Sequence, residues 1–301
     1  CTSYAVSGKH TADGTSLFHK NRDNADVPQI AVMVESSLQG MNKYLTVSNV
    51  GSLRCSMMVN NKGLAGSGDY PAEKKKDSST LNLPAAPPRY RGLMAGSILR
   101  LIGERASTCE EALAIIEDIV AKGYYAGGDV NGSHWLFVDR HGSVLEVCNN
   151  SQFVVSKFHD QKAYFSRLNK SAAAKKLREE EGPVDFSTFH NVSRDPSICF
   201  NTSISGMTVE IDPAHPEMLT CAWITLPART VAFPVFMGQS SIPECLANGT
   251  INRQGKASPK DPSRWEEMER SLHAEKDQFK ADLANSIDAG NPHPSHVELV
   301  D

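Results

Sequence analysis

Residue 1 of the chain is a cysteine, and the alternating segment Thr2-Ser3-Tyr4-Ala5-Val6-Ser7 follows it at once. A first-residue cysteine carries a thiol and a free α-amine together, a nucleophile with its own general base. Amide cleavage by such a group needs a base for the thiol proton, groups that hold the nucleophile, and donors for the oxyanion. The stretch Lys20-Asn21-Arg22-Asp23-Asn24 supplies candidates for the second requirement. It ends the second strand of a predicted hairpin, which returns it beside residue 1. Asp23 is then placed to bind the α-amine, and Lys20 or Arg22 to lower the thiol pKa. Taken alone, the same cluster is equally a charged, solvated strand end. Cys1 has two rival readings: the lipidated first residue of a bacterial lipoprotein, or an accident of where the chain is cut. A lipoprotein normally runs from its anchor into a flexible polar tether. Strand-forming sequence starts here immediately, which favours the nucleophile.

The elements that must position these residues are legible in outline. Residues 2–8 and 15–20 form the hairpin, linked through His10-Thr11-Ala12-Asp13-Gly14 with its Asp-Gly turn signal. Strands are predicted over Gln29–Glu35, Lys43–Val47 and Ser56–Asn60, then a turn Asn60-Asn61-Lys62-Gly63 into Leu64-Ala65. Residues 71–90 read as an exposed loop rich in Lys, Ser, Pro and Ala. Helices follow over Gly92–Arg105 and from the capping box Ser107-Thr108-Cys109-Glu110 to about Gly123, with Leu113, Ile116 and Val120 on one face. Strands return over Ser133–Asp139, Ser143–Cys148 and Phe153–Phe158, the first two joined by the turn Arg140-His141-Gly142. Residues 171–181 read as a helix stopped by Gly182. Met207–Ile211, Leu219–Leu226 and Thr230–Met237 form a late group of strands. Residues 247–262 read as a polar linker. Beyond it, Trp265, Met268, Leu272, Phe279, Leu283 and Ile287 recur near helical spacing behind the cap Asp261-Pro262. That stripe reads as a helix docked on the domain rather than a coiled-coil partner site. Strands, helices, strands and a final helix suit a layered α+β domain better than regular βαβ alternation.

Composition narrows the function classes. With 301 residues, 40% of them hydrophobic, the chain can build one large domain or two small ones. A net charge of −4 with scattered cations gives no case for nucleic acid. No apolar run reaches the ~18 residues of a membrane span. No Cys-x-x-Cys or His-Glu-x-x-His spacing points to a metal, and no cofactor is called for. Six cysteines remain besides Cys1. They permit disulfides and an extracytoplasmic home, and are equally ordinary as buried thiols. Sequons at Asn131, Asn149, Asn169, Asn191, Asn201 and Asn248 are weak matches in a Ser/Asn-rich chain.

Cys1-Thr2, the turn Thr11-Ala12-Asp13-Gly14-Thr15 and Lys20-Asn21-Arg22-Asp23 together resemble the N-terminus of a clan of N-terminal-cysteine (Ntn) hydrolases. The clan includes choloylglycine hydrolases, penicillin V acylases, the acyl-CoA:6-aminopenicillanate acyltransferase group and the secernin/dipeptidase group. In it a basic residue and an aspartate sit beside the nucleophile, at the positions of Lys20 and Asp23. The bile-salt and acyltransferase branches usually carry arginine where this chain has Lys20, which draws the match toward the secernin-like form. Asn60-Asn61-Lys62-Gly63-Leu64-Ala65 resembles the clan's Asn-Glu-x-Gly-Leu-Ala turn. An asparagine about four residues further on often serves the oxyanion hole there. This chain has Asp69 instead. An ionised aspartate would repel an oxyanion, so Asp69 is expected to meet a cationic or amine part of the substrate, with the backbone N–H of Gly68 or Asp69 as donor. Ala163–Lys170 lies where the acyltransferase group has a Thr-Asn-His segment, and Asn169 matches its oxyanion-donating asparagine. Asp195–Cys199, Thr208–Pro213 and Ala222-Trp223 continue the resemblance in order, over about residues 1–237.

The resemblance implies a four-layer αββα sandwich of two antiparallel sheets with a C-terminal helical extension. Residues 1–246 would be the catalytic domain, and 247–301 the linker and docked helix. It implies a linear-amide hydrolase or acyltransferase working through a Cys1 thioester, with Cys1, Lys20, Asp23 and Asn169 as catalytic residues. Cys1 would be exposed by removal of Met, a leader or a propeptide, autoproteolytically in some relatives. Candidates for the substrate pocket are Asp69, Tyr70, Ser133 and His134, with Tyr124, Tyr125 and Trp135 nearby in sequence. The expected partner is a small-molecule amide. Homo-oligomer formation stays open, and the location is expected to be periplasmic or secreted, with the cytoplasm left open. Two rivals also stay open: a lipoprotein binding module anchored through Cys1, and an inactive relative acting as an interaction protein.

Overall fold

The structure is a computed structural model that describes residues 1–71 and 81–290. In chain order it runs through β1 (Thr2–Val6), β2 (Ser16–Asp23), β3 (Gln29–Val34), β4 (Tyr44–Asn49), β5 (Met57–Asn60) and β6 (Leu64–Asp69). Helices α1 (Ala95–Arg105) and α2 (Cys109–Ala121) follow, then β7 (Ser133–Asp139), β8 (Val144–Asn149), β9 (Val154–Phe158) and the short β10 (Tyr164–Phe165). After α3 (Ala172–Glu179) and α4 (Phe186–Val192) come β11 (Ser203–Ile211), α5 (Pro216–Leu219), β12 (Cys221–Thr225) and β13 (Phe233–Phe236). Three helices close the chain: α6 (Glu244–Ala247), α7 (Thr250–Ala257) and α8 (Pro262–Asp288).

The strands form two antiparallel sheets. One has the order β10-β1-β2-β11-β12-β13, the other β3-β4-β5-β6-β7-β8-β9. Alternation along each strand decides which layer a side chain joins. In β7, Leu136 and Val138 face the first sheet and join a core with Ala5, Phe18, Val209 and Ala222, while Trp135 and Phe137 face α1 and α2. All seven residues of β7 are therefore buried, as expected where a sheet is covered on both faces. In the first sheet, Tyr4, Val6 and Leu17 pack outward under α3 and α4. The result is the αββα sandwich with the α8 helix present.

Gly66 and Gly68 in β6 have a packing reason. A Cβ on Gly66 would come within 2.2 Å of the Phe137 ring, and one on Gly68 within 2.9 Å of Trp135. The two indole and phenyl rings lie across the bare strand and fill the layer beneath the helices. Asn60 ties the preceding turn together: its Oδ1 accepts from the N–H of Lys62 and Leu64, and its Nδ2 donates to the carbonyls of Gly103 and Ala106 at the end of α1.

Several predicted boundaries shift. Residues 72–80 of the expected loop lie outside the described residues, and 81–90 carry no helix or strand. The segment expected as a strand from Leu219 begins with the helical turn α5. The stretch 247–262 is not an open linker: α7 occupies it and buries Asn252 and Gly255, the latter against Thr230 and Leu226. Arg253 and Gln254 lie on its exposed side, while Asn252 is buried. The docked α8 is as the apolar stripe predicts, with Leu283 in a core under β12 and β13, but Met268 and Leu272 of that stripe are exposed. α8 buries Glu269, His273 and Lys276 instead.

Candidate active site

Cys1 stands at the entry to β1, which pairs with β2 in the register Thr2↔Asn21, Ser3↔Lys20. That register brings the end of β2 to residue 1, as the hairpin reading requires. The α-amine of Cys1 lies 2.5 Å from Asp23 Oδ2, and its thiol points to the Asp23 carbonyl oxygen at 3.6 Å. Asp23 is held in turn by Ser203, whose hydroxyl donates to Oδ1 at 2.5 Å. Ser203 lies on β11 beside Asp23, next to a bulge in the ladder. Its role is invisible in sequence because the two residues are 180 positions apart.

Lys20 and Asp69 come together across the gap between the sheets. Lys20 Nζ is 2.8 Å from Asp69 Oδ1, and donates to the carbonyls of Ser56 and Gly68 at 2.9 Å each. Two of the ammonium's protons thus go to carbonyls, and its charge faces the Asp69 carboxylate. The other carboxylate oxygen, Oδ2, accepts from Ser3 at 2.9 Å and Ser166 at 3.2 Å, and Ser3 is also 2.7 Å from Ser67. Burial lowers the Lys20 pKa, with Asp69 opposing it. Burial likewise works against the Asp69 charge, but Lys20 and the nearby Cys1 ammonium outweigh it and hold the carboxyl at about 2. Asp69, expected to meet a cationic or amine part of the substrate, lines the cavity with its carboxylate facing Lys20.

Cys1, Lys20, Asp23, Gly68 and Asp69 line one cavity of about 310 Å³, at the small end of the ~300–1,000 Å³ usual for ligand sites. Ser133 and Tyr125 form part of its wall, with the Tyr125 hydroxyl 3.0 Å from Ser133 Oγ. Tyr70 stands at the rim, 70% exposed. Arg22, on the same wall, is fixed by Gln29 Oε1 at 2.6 Å and Asn49 Oδ1 at 2.5 Å. His134 does not line the cavity. It lies fully buried opposite Asp69 in the β6–β7 ladder, 2.8 Å from Glu146, whose other oxygen meets His159 at 2.9 Å. Burial disfavours its charge, but Cys148 and Glu146 prevail and raise its pKa to about 10. His134 therefore belongs to a polar layer behind the cavity. Trp135 points to the helical side of the sheet, and Tyr124 is exposed away from the cavity wall.

Asn169 lies in the turn between β10 and α3. Ser166 N donates to the Ser3 carbonyl and Ser3 N to Ser166 Oγ, so the pairing with β1 runs as far as Ser166, and Asn169 itself is not among the residues that line the Cys1 cavity. Leu168 takes a left-handed φ of 56°, uncommon for a leucine, to make the turn. Arg178, from α3, donates to both Asn169 Oδ1 and the Asn169 carbonyl, the latter at 2.6 Å. With its oxygen turned to a guanidinium, the side chain keeps its Nδ2 donor for another partner. Ser171 caps α3, its side chain accepting from the N–H of Ala174. Arg178 escapes sequence reading because it looks like any cation on an exposed helix face.

None of the seven cysteines is joined in a disulfide in this structure. Among the described residues no helix is long and apolar enough to cross a membrane.

No family model matches the chain, and no curated protein matches it in sequence. Solved structures do. The chain is similar to penicillin V acylase from Agrobacterium tumefaciens, with a TM-score of 0.53 and 15% identity over 79% of this chain and 86% of that one. A variant of conjugated bile acid hydrolase from Clostridium perfringens aligns with a TM-score of 0.49 and 11% identity over 79% and 92% of the two chains. The Caenorhabditis elegans ortholog of N-acylethanolamine-hydrolyzing acid amidase gives 0.49 and 12% over 72% and 94%. The fold of this chain is that of the penicillin V acylase, the αββα Ntn-hydrolase sandwich that its N-terminal sequence resemblance implies.

Proposed function

We propose that this protein is a cysteine hydrolase of linear amides, with Cys1 as nucleophile in the mature chain. One observation carries the reading: the thiol and α-amine of Cys1 sit together at a cavity, the amine 2.5 Å from a carboxylate that Ser203 holds from its other side. The α-amine acts as base once the ammonium that pairs with Asp23 has given a proton to solvent; the Sγ proton then passes to it, and Asp23 stabilises the ammonium that re-forms. Sγ attacks the substrate carbonyl. Asn169 Nδ2 and a backbone amide at Gly68 or Asp69 are the proposed donors to the oxyanion. The ammonium then gives its proton to the leaving nitrogen, and a thioester remains. Water completes hydrolysis; an amine acceptor would complete acyl transfer. Lys20, neutralised by Asp69, positions the strand ends rather than competing for the substrate. A cavity of about 310 Å³ suits a small N-acyl compound. Lipidation of Cys1 is disfavoured, because its amine and thiol are both turned to Asp23 and the strand begins at Thr2.

The test is substoichiometric iodoacetamide labelling at neutral pH with peptide mass spectrometry on the seven cysteines, followed by a panel of N-acyl amines. Preferential labelling of a free Cys1, and turnover lost in Cys1→Ala, are the expected results. A lipidated residue 1, or turnover that survives Cys1→Ala, would sink the mechanism. A free Cys1 that labels no faster than the buried thiols would favour an inactive relative.

A further inference from the structure

On the far side of the first sheet from the cavity, three buried side chains converge with unpaired ligand atoms. His190 comes from α4, and Glu269 and His273 come from successive turns of one face of α8. His190 Nε2, Glu269 Oε2 and His273 Nε2 are all buried without a hydrogen-bond partner. One ligand atom from each residue lies within 4.8 Å of the other two, and His190 Nε2 is 3.2 Å from Glu269 Oε2. His190 and Glu269 are fully buried and His273 is 6% exposed. The His190 and Glu269 atoms that face each other are both acceptors once the His190 tautomer is set, and a buried pair of acceptors without a partner repels unless something positive lies between them.

The surrounding hydrogen bonds determine which atoms are free. Asn21 Nδ2 donates to the carbonyls of Ser193 and Ile198, so its Oδ1 is the atom that faces His19 Nε2 at 2.8 Å. His19 Nε2 must then carry the hydrogen. Burial keeps this imidazole neutral, with a pKa of about 3, so His19 Nδ1 is an acceptor. It lies 2.8 Å from Thr208 Oγ1, which donates its proton there. Thr208 is left to accept from His190 Nδ1 at 2.7 Å. The hydrogen on His190 therefore sits on Nδ1, and its Nε2 lone pair is aimed at the Glu269 carboxylate. The remote atoms of the other two residues also have partners, although the Ser187 hydroxyl can either donate to or accept from His273 and so does not choose its tautomer. His273 Nδ1 lies 2.8 Å from Ser187 Oγ, and Glu269 Oε1 accepts from Arg194 at 2.6 Å and from the Ala232 N–H at 2.5 Å. Outer hydrogen bonds that set the tautomer and aim the donor atom are how proteins prepare metal ligands.

We propose that His190, Glu269 and His273 form a structural site for a divalent transition ion of the zinc type, which clamps α8 to α4. Two imidazoles and one carboxylate supply three of the four donors of a tetrahedral zinc, with a water to fill the fourth position, and bonds of ~2.0–2.1 Å would put neighbouring ligand atoms about 3.3 Å apart. The His190–Glu269 separation of 3.2 Å already matches. Rings of Phe186 and Trp223 stand 5.1 and 4.9 Å from that of His273 and wall the site. None of the three ligands lines the Cys1 cavity, so the ion would hold the fold and take no part in amide cleavage.

The experiment uses the full chain, stripped with EDTA, desalted and titrated with ZnSO₄, with bound metal measured by mass spectrometry of the element. About one zinc per chain is expected, and a Tm raised by a few degrees in excess ZnSO₄. His273→Ala, at the edge of the site, should bind less than about a tenth as much and show no Tm rise. Replacing zinc by CoCl₂ in the unmutated chain should give the visible bands of a tetrahedral ion without thiolate charge-transfer absorption. That measurement stands even if the variant folds poorly. Zinc uptake equal in folded His273→Ala, no stoichiometric uptake in the unmutated chain, or a thiolate-type cobalt spectrum would each overturn the site. In those cases a proton shared between His190 and Glu269 fills the gap.

Discussion

Asp69→Asn should turn Lys20 from a neutralised ammonium into a liability, and the size of the effect follows from the site. The two charges stand 2.8 Å apart with side chains 2% and 1% exposed. At an effective dielectric of ~20, their attraction is about 6 kcal/mol before desolvation is counted. Removing one partner of such a pair typically costs ~3–5 kcal/mol, because the other charge stays buried. Lys20 has an escape, which is to lose its proton. The ordinary lysine value is 10.5. Shedding the proton therefore costs about 4 kcal/mol at about pH 7.5 and about 2 kcal/mol at about pH 9, from 1.36 kcal/mol per unit. The loss of stability in the variant should shrink by about 2 kcal/mol between those two pH values. The sign is fixed by linkage. In the folded variant Lys20 is neutral while the unfolded chain binds the proton, so stability rises with pH. In the unmutated protein Asp69 keeps the ammonium charged, and the same rise starts only at higher pH. Urea unfolding of both proteins at the two pH values measures this. A second cycle adds Lys20→Met. The double variant should lose about 2 kcal/mol less than the sum of the single losses. A loss below about 1 kcal/mol for Asp69→Asn, or an equal loss at both pH values, would refute the claim that this ion pair supports the site.

Asn169→Ala should lower kcat by ~10²–10³ with little change in unfolding, as for loss of an oxyanion donor; an unchanged kcat would move the donor elsewhere. Arg178→Met should lower kcat with KM nearly constant, because Asn169 loses the group that orients its amide, and Arg178→Lys should restore part of it. Equal kcat in all three proteins would leave Arg178 a surface cation. His134 has a folded pKa raised from 6.5 to about 10 beside Glu146 and Cys148. Its contribution to stability is therefore full below the unfolded value and is lost as pH rises from 6.5 through about 10. Tm measured across that window should fall in the unmutated protein. It should start lower and stay flatter in Glu146→Gln, and parallel curves would show that the pair does not carry the slope.

Two departures of this sequence from its resemblance turn out to be one feature. Lys20 stands where arginine is usual and Asp69 where asparagine is usual, and each looks anomalous by itself. In the fold they face each other across the sheets as an ion pair. No local pattern could show this, because the residues lie 49 positions apart, in strands of different sheets.

What the sequence determined by itself is the local part. The strand at Thr2, the Asp-Gly turn and the register of a short hairpin are near-neighbour effects, and they place Asp23 beside Cys1. The alternation of β7 and the capping box of α2 likewise follow from adjacent residues. Tertiary structure decided everything that depends on which faces meet. It set Ser203 against Asp23, turned Asp69 inward to Lys20, hid His134 behind the cavity wall and set Arg178 against Asn169. It also packed the polar stretch 247–262 as a helix and buried Glu269 and His273 of α8 against His190. The reason is physical: a side chain's type fixes the chemistry it offers, but its partner is chosen by the packing of sheets and helices far apart in the chain.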